Sequence, residues 1–295
     1  MTGTLLVVLA VTLRILSNPL ANVFQKQLTS KGNHPLIVNF LTYFLLSVFC
    51  GVLALFTRIP GLGKDFWIYS LLGGVAGALG NGFLVKALQK GDLSVLGPIN
   101  SYKSVVGIIV GVFLLSEIPN IWGIVGIALI IYGSYYVLDS TEERFSWKLL
   151  KKPEIQFRMW AMILTAIEAV FIKRVILASS TTLAFMSWCV FGALFSFIVL
   201  FFYKVRIPME FKRTLKRQYL SKFLLLIGCI GTMQFTTNYA FAHMPVGYAL
   251  SLFQLSIIIS VIFGYQFFKE KDIRKKIIGS LIMIVGSVLI ILLKD

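Results

Sequence analysis

Cysteine is scarce: Cys50, Cys189 and Cys229 are the only three in 295 residues. Being odd in number, widely spaced and each inside an apolar run, they form neither a disulfide framework nor a metal site. Catalytic signatures are missing as well. The chain has no HExxH, no phosphate-cradling glycine loop ending in Lys-Ser, no Cys-His cluster and no GxSxG. An enzyme is therefore not expected, and neither is a cofactor or a resident metal. Charge is also thin, at 14% of residues against 58% hydrophobic. A soluble domain is roughly 45–50% apolar, so this composition reads as an integral, multi-pass membrane protein.

What the chain has instead is long apolar runs. A helix needs about 20 such residues to cross a bilayer. Ten runs are read, near 3–24, 35–57, 66–88, 95–116, 120–138, 158–177, 182–203, 222–242, 246–268 and 276–293. The loops between them are short and leave no room for a soluble domain. The first run is too long for a signal-peptide core and lacks a small-residue cleavage site after it, so it is expected to remain as a helix.

The chain also repeats itself. The stretch from Ala87 to Tyr135 lies over the stretch from Ala240 to Val288 without a gap, at a shift of about 153 residues. Gly111 falls on Gly264, Glu117 on Glu270, Gly126 on Gly279, and Gly133-Ser134 on Gly286-Ser287. Earlier and more faintly, Val23-Phe24-x-Lys26 resembles Val170-Phe171-x-Lys173. Two repeats are thus expected, at residues 1–139 and 158–295, joined by a basic linker at 140–157.

Positive charge orients the repeats. The net charge of +16 would suggest nucleic acid in a soluble protein. Here the Lys and Arg lie between apolar runs, where they set topology and meet anionic lipid head groups; no nucleic-acid partner is expected. The loops after the fifth, seventh and ninth runs are strongly basic, whereas those after the fourth and eighth, SEIPN and HMPVG, carry no Lys or Arg. Odd-numbered loops are accordingly expected in the cytoplasm and both termini outside. Five spans per repeat, an odd number, force the two copies to cross in opposite directions. Glu270 sits in the basic run KEKDIRKK and Glu117 in a loop without cations, which fits opposite compartments. The fold expected is an all-α membrane protein whose ten transmembrane helices form two inverted five-helix repeats.

At GVFLLSEIPNIWGIVGIALIIYGS in the first half and GYQFFKEKDIRKKIIGSLIMIVGS in the second, the chain resembles the EamA family of the drug/metabolite transporter (DMT) superfamily. Lys26 and Lys173, each closing the first helix of a repeat, resemble the family pattern too. The resemblance covers essentially the whole chain. It implies a carrier of two inverted halves that moves a small polar metabolite by alternating access; a bacterial source would place it in the cytoplasmic (inner) membrane. One departure is Ser17-Asn18-Pro19 in the first helix, where relatives often carry an aromatic-Gly pair. First-helix substrate contacts are therefore not carried over.

Ionisable groups inside spans are costly and tend to face a cavity or a partner. Lys103, mid-way along the fourth span, is the leading candidate for substrate binding; a pair with Glu168 or snorkelling are its alternatives. Arg14, one turn before Asn18, has the fork that grips a carboxylate or phosphate, or is neutralised by Glu168. Glu168 reads as a proton-coupling group or as a counter-ion. Lys86 is near a helix end and can snorkel, and His243 reads as an interface residue. Asn18, Asn100, Tyr102, Asn238 and Gln254 are the neutral polar candidates for the substrate site, beside Gln234 and Thr237. Gly73, Gly77 and Gly80 recur at a spacing suited to close helix packing.

The leading function is a secondary-active transporter of a small polar organic metabolite, amino acid-like or anionic, because Arg14, Lys86 and Lys103 lack evident partners. An exporter of cationic or aromatic compounds, and a non-transporting membrane protein or lipid-modifying enzyme on the same architecture, are the alternatives. The expected partners are the small-molecule substrate and membrane lipids, in a monomer or homodimer.

Overall fold

The computed structural model describes residues 2–57, 59, 61–103, 105–106, 120–139, 149–214 and 216–292. Glu117 and Gly111 of the sequence repeat lie outside them. The regular structure of the first half is α1 (Thr2–Thr29), α2 (Pro35–Ala54), α3 (Lys64–Lys90), the single turn α4 (Leu93–Leu96), a 3₁₀ turn at Pro98–Ser101, and α5 (Ile121–Asp139). A 3₁₀ turn at Leu149–Lys151 leads into the second half: α6 (Pro153–Ala178), α7 (Thr181–Phe202), the short α8 (Ile207–Thr214), α9 (Arg217–His243), α10 (Val246–Phe253), α11 (Ser256–Phe268) and α12 (Ile273–Leu292).

Among the described residues, seven helical stretches are long and apolar enough to cross a membrane: α1, α2, α3, α5, α7, α9 and the Val246–Phe268 stretch of α10 and α11. The ten expected spans are thus matched in seven. The expected fourth span runs partly outside the described residues. The sixth lies inside α6, which carries Glu154, Arg158, Glu168, Lys173 and Arg174, and α12 opens with Ile273 followed by Arg274-Lys275-Lys276.

Two of the expected spans are not continuous helices. Pro98 lacks an N–H and follows Gly97, so the fourth run starts as one α turn and then tightens: the Asn100 N–H bonds the Gly97 carbonyl at 3.0 Å instead of the Leu96 carbonyl. The ninth run breaks at Gln254 and Leu255, whose N–H groups bond the Ser251 and Leu252 carbonyls at 3.1 and 3.2 Å. Broken helices at corresponding places in two halves are what a membrane carrier uses to aim backbone groups at a central site.

Helices pair across the halves. α3 packs on α6 and α1 on α9, while α2 packs on α7 and α5 on α12. Exchanging the halves maps this set of contacts onto itself, as an internal two-fold axis requires. The seam between α5 and α12 shows the relation at atomic scale. A Cβ on Gly133 would stand 2.6 Å from the Gly279 carbonyl oxygen, and one on Gly279 2.6 Å from that of Gly133; Gly126 and Gly286 are related similarly through the Gly286 and Gly126 carbonyls. Gly126 meets Gly286 and Gly133 meets Gly279, so the two equivalent helices run antiparallel. In α2 and α7 the order is the same, since Asn39 donates to Ser196 at 3.1 Å while Tyr43 lies against Gly192.

This seam yields a stability prediction. Gly133→Ala and Gly279→Ala should each destabilise the protein by about 1–3 kcal/mol through overpacking against backbone, and by similar amounts, because each added Cβ would meet the other glycine's carbonyl oxygen at 2.6 Å. Gly51, with nothing within 4 Å of a built Cβ, serves as the control. Thermal unfolding in detergent should rank Gly51→Ala at or above the parent and both seam variants below it.

A buried ion pair ties the halves together at one end. Lys26 Nζ of α1 stands 2.9 Å from Glu270 Oε1, and their side chains are 10% and 3% exposed. Glu270 lies between α11 and α12, and its carboxylate also accepts the Leu93 and Ser94 N–H groups at 2.8 and 2.9 Å and the Ser94 hydroxyl. Asp92 is 3.7 Å from the same ammonium, and the Phe268 ring centroid is 4.5 Å from it. The pseudo-equivalent Lys173 donates instead to the Phe241 carbonyl.

Candidate functional site

Polar groups converge on a central cavity with about 100 Å³ of room for water-sized spheres. Its wall draws on both halves: Arg14, Asn18 and Asn22 from α1, Asn81 from α3, Asn100 and Lys103 beside the break after Pro98, Arg158, Thr165 and Glu168 from α6, Gln234 and Thr237 from α9, and Ser256 and Ser260 from α11. The two broken stretches face each other across it. α1 passes the cavity as one helix although Pro19 lies inside it; with no N–H on Pro19, the Ile15 carbonyl loses its usual partner.

Arg14 is held from one side only. Its Nε donates to Thr237 Oγ1 at 2.9 Å and its guanidinium carbon lies 4.7 Å from the Phe253 ring centroid. Both neighbours are neutral, and Nη1 is buried without an acceptor. The expected alternative, neutralisation of Arg14 by Glu168, is not what the geometry gives. A guanidinium with an open edge in a polar cavity is a site for a carboxylate or phosphate.

Lys103 stands just past the 3₁₀ turn, where its ammonium interacts electrostatically with Arg158, Arg14 and Glu168. No carboxylate of the described residues lies within the 4.0 Å of an ion pair. The Lys103–Glu168 pair considered from sequence is therefore not formed. Glu168, only 6% exposed, accepts the Trp188 Nε1–H at 2.7 Å. Gly77 leaves the space its carboxylate occupies, for a Cβ there would meet Glu168 Oε1 at 2.2 Å. Trp188 in turn lies 4.5 Å from the Tyr43 ring, and Tyr43 accepts from Asn81 at 2.7 Å. The glycine stripe of α3 thus does both things: Gly73 and Gly80 face Phe171 and Thr165 of α6, and Gly77 makes room for the Glu168 carboxylate in the cavity wall.

Arg158 is a cavity residue outside the sequence candidates: it directly follows the basic linker at 140–157, where a cation reads as topology-setting, yet it is 7% exposed inside α6. Its Nε donates to the Leu96 carbonyl at 2.8 Å, the acceptor that the 3₁₀ turn frees, and Nη2 donates to Asn100 Oδ1 at 3.2 Å. Pro98 was the available signal, because a helix that tightens at a proline leaves a carbonyl needing a donor from another helix.

The remaining candidates separate in space. Asn18 and Asn100 line the cavity. Tyr102, Asn238 and Gln254 stand off its wall: Tyr102 Oη is 2.7 Å from Ser134 Oγ, Gln254 donates to Ser287 at 3.1 Å, and Asn238, fully buried, is joined to Gln234 at 2.9 Å. These three brace helices, since each uses its polar group on another protein group. Lys86 is also elsewhere, in a second cavity 3.8 Å from the Tyr203 ring centroid, and His243 stacks on Tyr239 at a helix end. Among the described residues no group of three or more His, Cys, Asp or Glu is placed to hold a metal ion.

Comparison with known proteins bears on the same halves. No curated protein matches the chain. A solved structure described as "Crystal structure of protein" superposes on 99% of this chain and 97% of its own at a TM-score of 0.65, with 14% identical residues, a likeness of fold alone. The profile of the EamA-like transporter family matches twice, over residues 2–138 and 153–292, one match to each half of the two-fold arrangement around the cavity. With both halves matched, the chain belongs to the EamA-like transporter family.

Proposed function

We propose that this membrane transporter moves a small polar organic anion, such as an amino acid-like carboxylate or a phosphorylated metabolite, by secondary-active alternating access. The observation that carries the reading is the charge of the central cavity. Among the described residues, Arg14, Lys103 and Arg158 line it against the single carboxylate of Glu168. Cations that share a cavity of low dielectric repel one another, and an anion relieves that repulsion while supplying the acceptor that Arg14 lacks. The amides and hydroxyls around them give a substrate's neutral polar groups partners in place of water. Seats for the two halves on an internal two-fold axis suit a site exposed alternately to each side, and an inner-membrane location follows if the source is bacterial.

Uptake into proteoliposomes tests this directly. A panel of carboxylates, phosphate esters, zwitterions and lipophilic cations should give saturable flux for anionic or zwitterionic solutes and none for the cations. Repeating the assay with an imposed pH gradient, on the parent and on Glu168→Gln, tests proton coupling. Flux in the parent should respond to the gradient and flux in the variant should not. Preferential transport of the cations would overturn the anion assignment, and a gradient response unchanged by Glu168→Gln would remove Glu168 from coupling.

A further inference from the structure

A second cavity, of about 310 Å³, lies where the α1–α2 connection (Gly32, His34), the end of α3 (Lys86, Lys90), the start of α6 (Glu154, Phe157) and α8 (Glu210) come together. Its charges are balanced, unlike those of the central cavity: two lysines stand with two carboxylates. Lys86 Nζ is 3.8 Å from the Tyr203 ring centroid and 5.2 Å from that of Phe157. Burial lowers the His34 pKa, with Glu210 opposing and Lys86 reinforcing, so the ring is neutral at pH 7. His34 Nδ1 and Glu210 Oε2 are both buried without a hydrogen-bond partner. A carboxylate oxygen left so is costly until a donor reaches it.

Simple ions fit this pattern poorly. An anion would satisfy the lysines and be repelled by Glu154 and Glu210; a cation would meet the reverse. A molecule with a phosphate and a protonated amine a few ångströms apart suits both pairs, and only an amine that keeps its N–H bonds can donate to Glu210.

The surroundings identify where such a molecule comes from. Phe201 and Phe202, next to Tyr203, are 76% and 77% exposed, and Met209 on α8 is 58% exposed. Lys204, Arg206, Lys212 and Arg213 flank them. Apolar side chains ending a span, followed by a short helix with Lys and Arg on it, are the arrangement of the boundary between acyl chains and head groups.

We propose that this cavity is a phospholipid site for a phosphoethanolamine headgroup, its phosphate beside Lys86 and Lys90, its ammonium beside Glu210 and Glu154, and its acyl chains along Phe201, Phe202 and Met209. Native mass spectrometry of the full chain, reloaded with phosphatidylethanolamine, phosphatidylcholine or phosphatidylglycerol, tests the assignment. The choline lipid keeps the phosphate and the positive charge but has no N–H, and the glycerol lipid has no amine. Losing a charge-assisted hydrogen bond corresponds to about tenfold weaker retention of the choline lipid. Glu210→Gln should erase that difference, and Lys90→Ala, at an exposed position, should weaken all three lipids.

Lys103→Ala, in the central cavity, should leave the lipid pattern unchanged, so this assignment stands or falls apart from the transport reading. Equal retention of the ethanolamine and choline lipids, or preference for phosphatidylglycerol, would overturn it. Free phosphoethanolamine at matched concentration should not displace the lipid; if it does, the site belongs to a soluble zwitterion and the lipid assignment fails.

Discussion

Lys103→Ala should lose most anion uptake and yet be no less stable than the parent. The loss follows from removing one charge-assisted contact to the substrate, worth about 1.5–3 kcal/mol, or roughly ten- to a hundredfold in apparent affinity. The stability follows from what the ammonium does without substrate: it stands with Arg14 and Arg158 against Glu168, which is not within ion-pair distance of it. Removing a half-buried charge that no carboxylate of the described residues pairs with relieves a cost, and residues kept at such cost are the usual signature of a site held ready for a ligand. Arg14→Lys is the companion variant. It keeps the charge and loses the planar fork, so uptake should fall about tenfold or more. Transport assays and thermal unfolding on the same preparations check both halves of the statement. Unchanged anion uptake by Lys103→Ala would remove the residue from the site, and a large drop in its unfolding temperature would make it structural.

The second large effect is expected at the other kind of buried charge. Glu270→Gln or Lys26→Met should each destabilise the protein by about 3–5 kcal/mol, the cost of leaving one member of a buried pair alone. Glutamine keeps the shape of the glutamate but not its charge. Its amide places donors against the Lys26 ammonium and the Leu93 and Ser94 N–H groups, which already donate. The pair also makes stability depend on pH. Burial pushes the Glu270 pKa up, but Lys26 and the Ser94 hydroxyl and N–H outweigh it, and the net shift is downward. Because the folded value lies below the unfolded value of about 4.3, the stabilisation is fully present above that range. It is lost as pH falls through the depressed folded value. Acid unfolding of the parent should therefore show a carboxylate-dependent loss of stability that Glu270→Gln lacks. Parallel pH profiles for the two proteins would refute the clamp.

These two charges separate what a membrane chain does with ionisable groups. Glu270 is saturated: one ammonium, two backbone N–H groups and a hydroxyl. Lys103 and one edge of Arg14 are left open. Sequence alone ranked Lys103 and Arg14 highly because both lie deep in apolar runs, but it had no means of telling an open cation from a paired one. Pairing is a matter of what other helices bring, and Lys26 meets Glu270 across 244 residues of chain.

What the sequence determined by itself is whatever depends on runs and repetition. Apolar runs of bilayer length dictate membrane helices, since a backbone in hydrocarbon must satisfy its own hydrogen bonds. A repeat with matching Gly126, Gly133, Gly279 and Gly286 dictates two equivalent halves. The family was legible in those same residues. Only the tertiary structure decided which polar groups share a space. It put Arg158, at the start of the sixth apolar run, into the cavity wall, where the Leu96 carbonyl freed by the 3₁₀ turn accepts from it, and it sent Lys86 to a different cavity. It spent Tyr102, Asn238 and Gln254 on bracing helices and gave Glu168 to Trp188 over a gap left by Gly77. The reason is physical: helix periodicity tells which residues are inside, while the partner each one finds depends on antiparallel pairing between halves far apart in the chain.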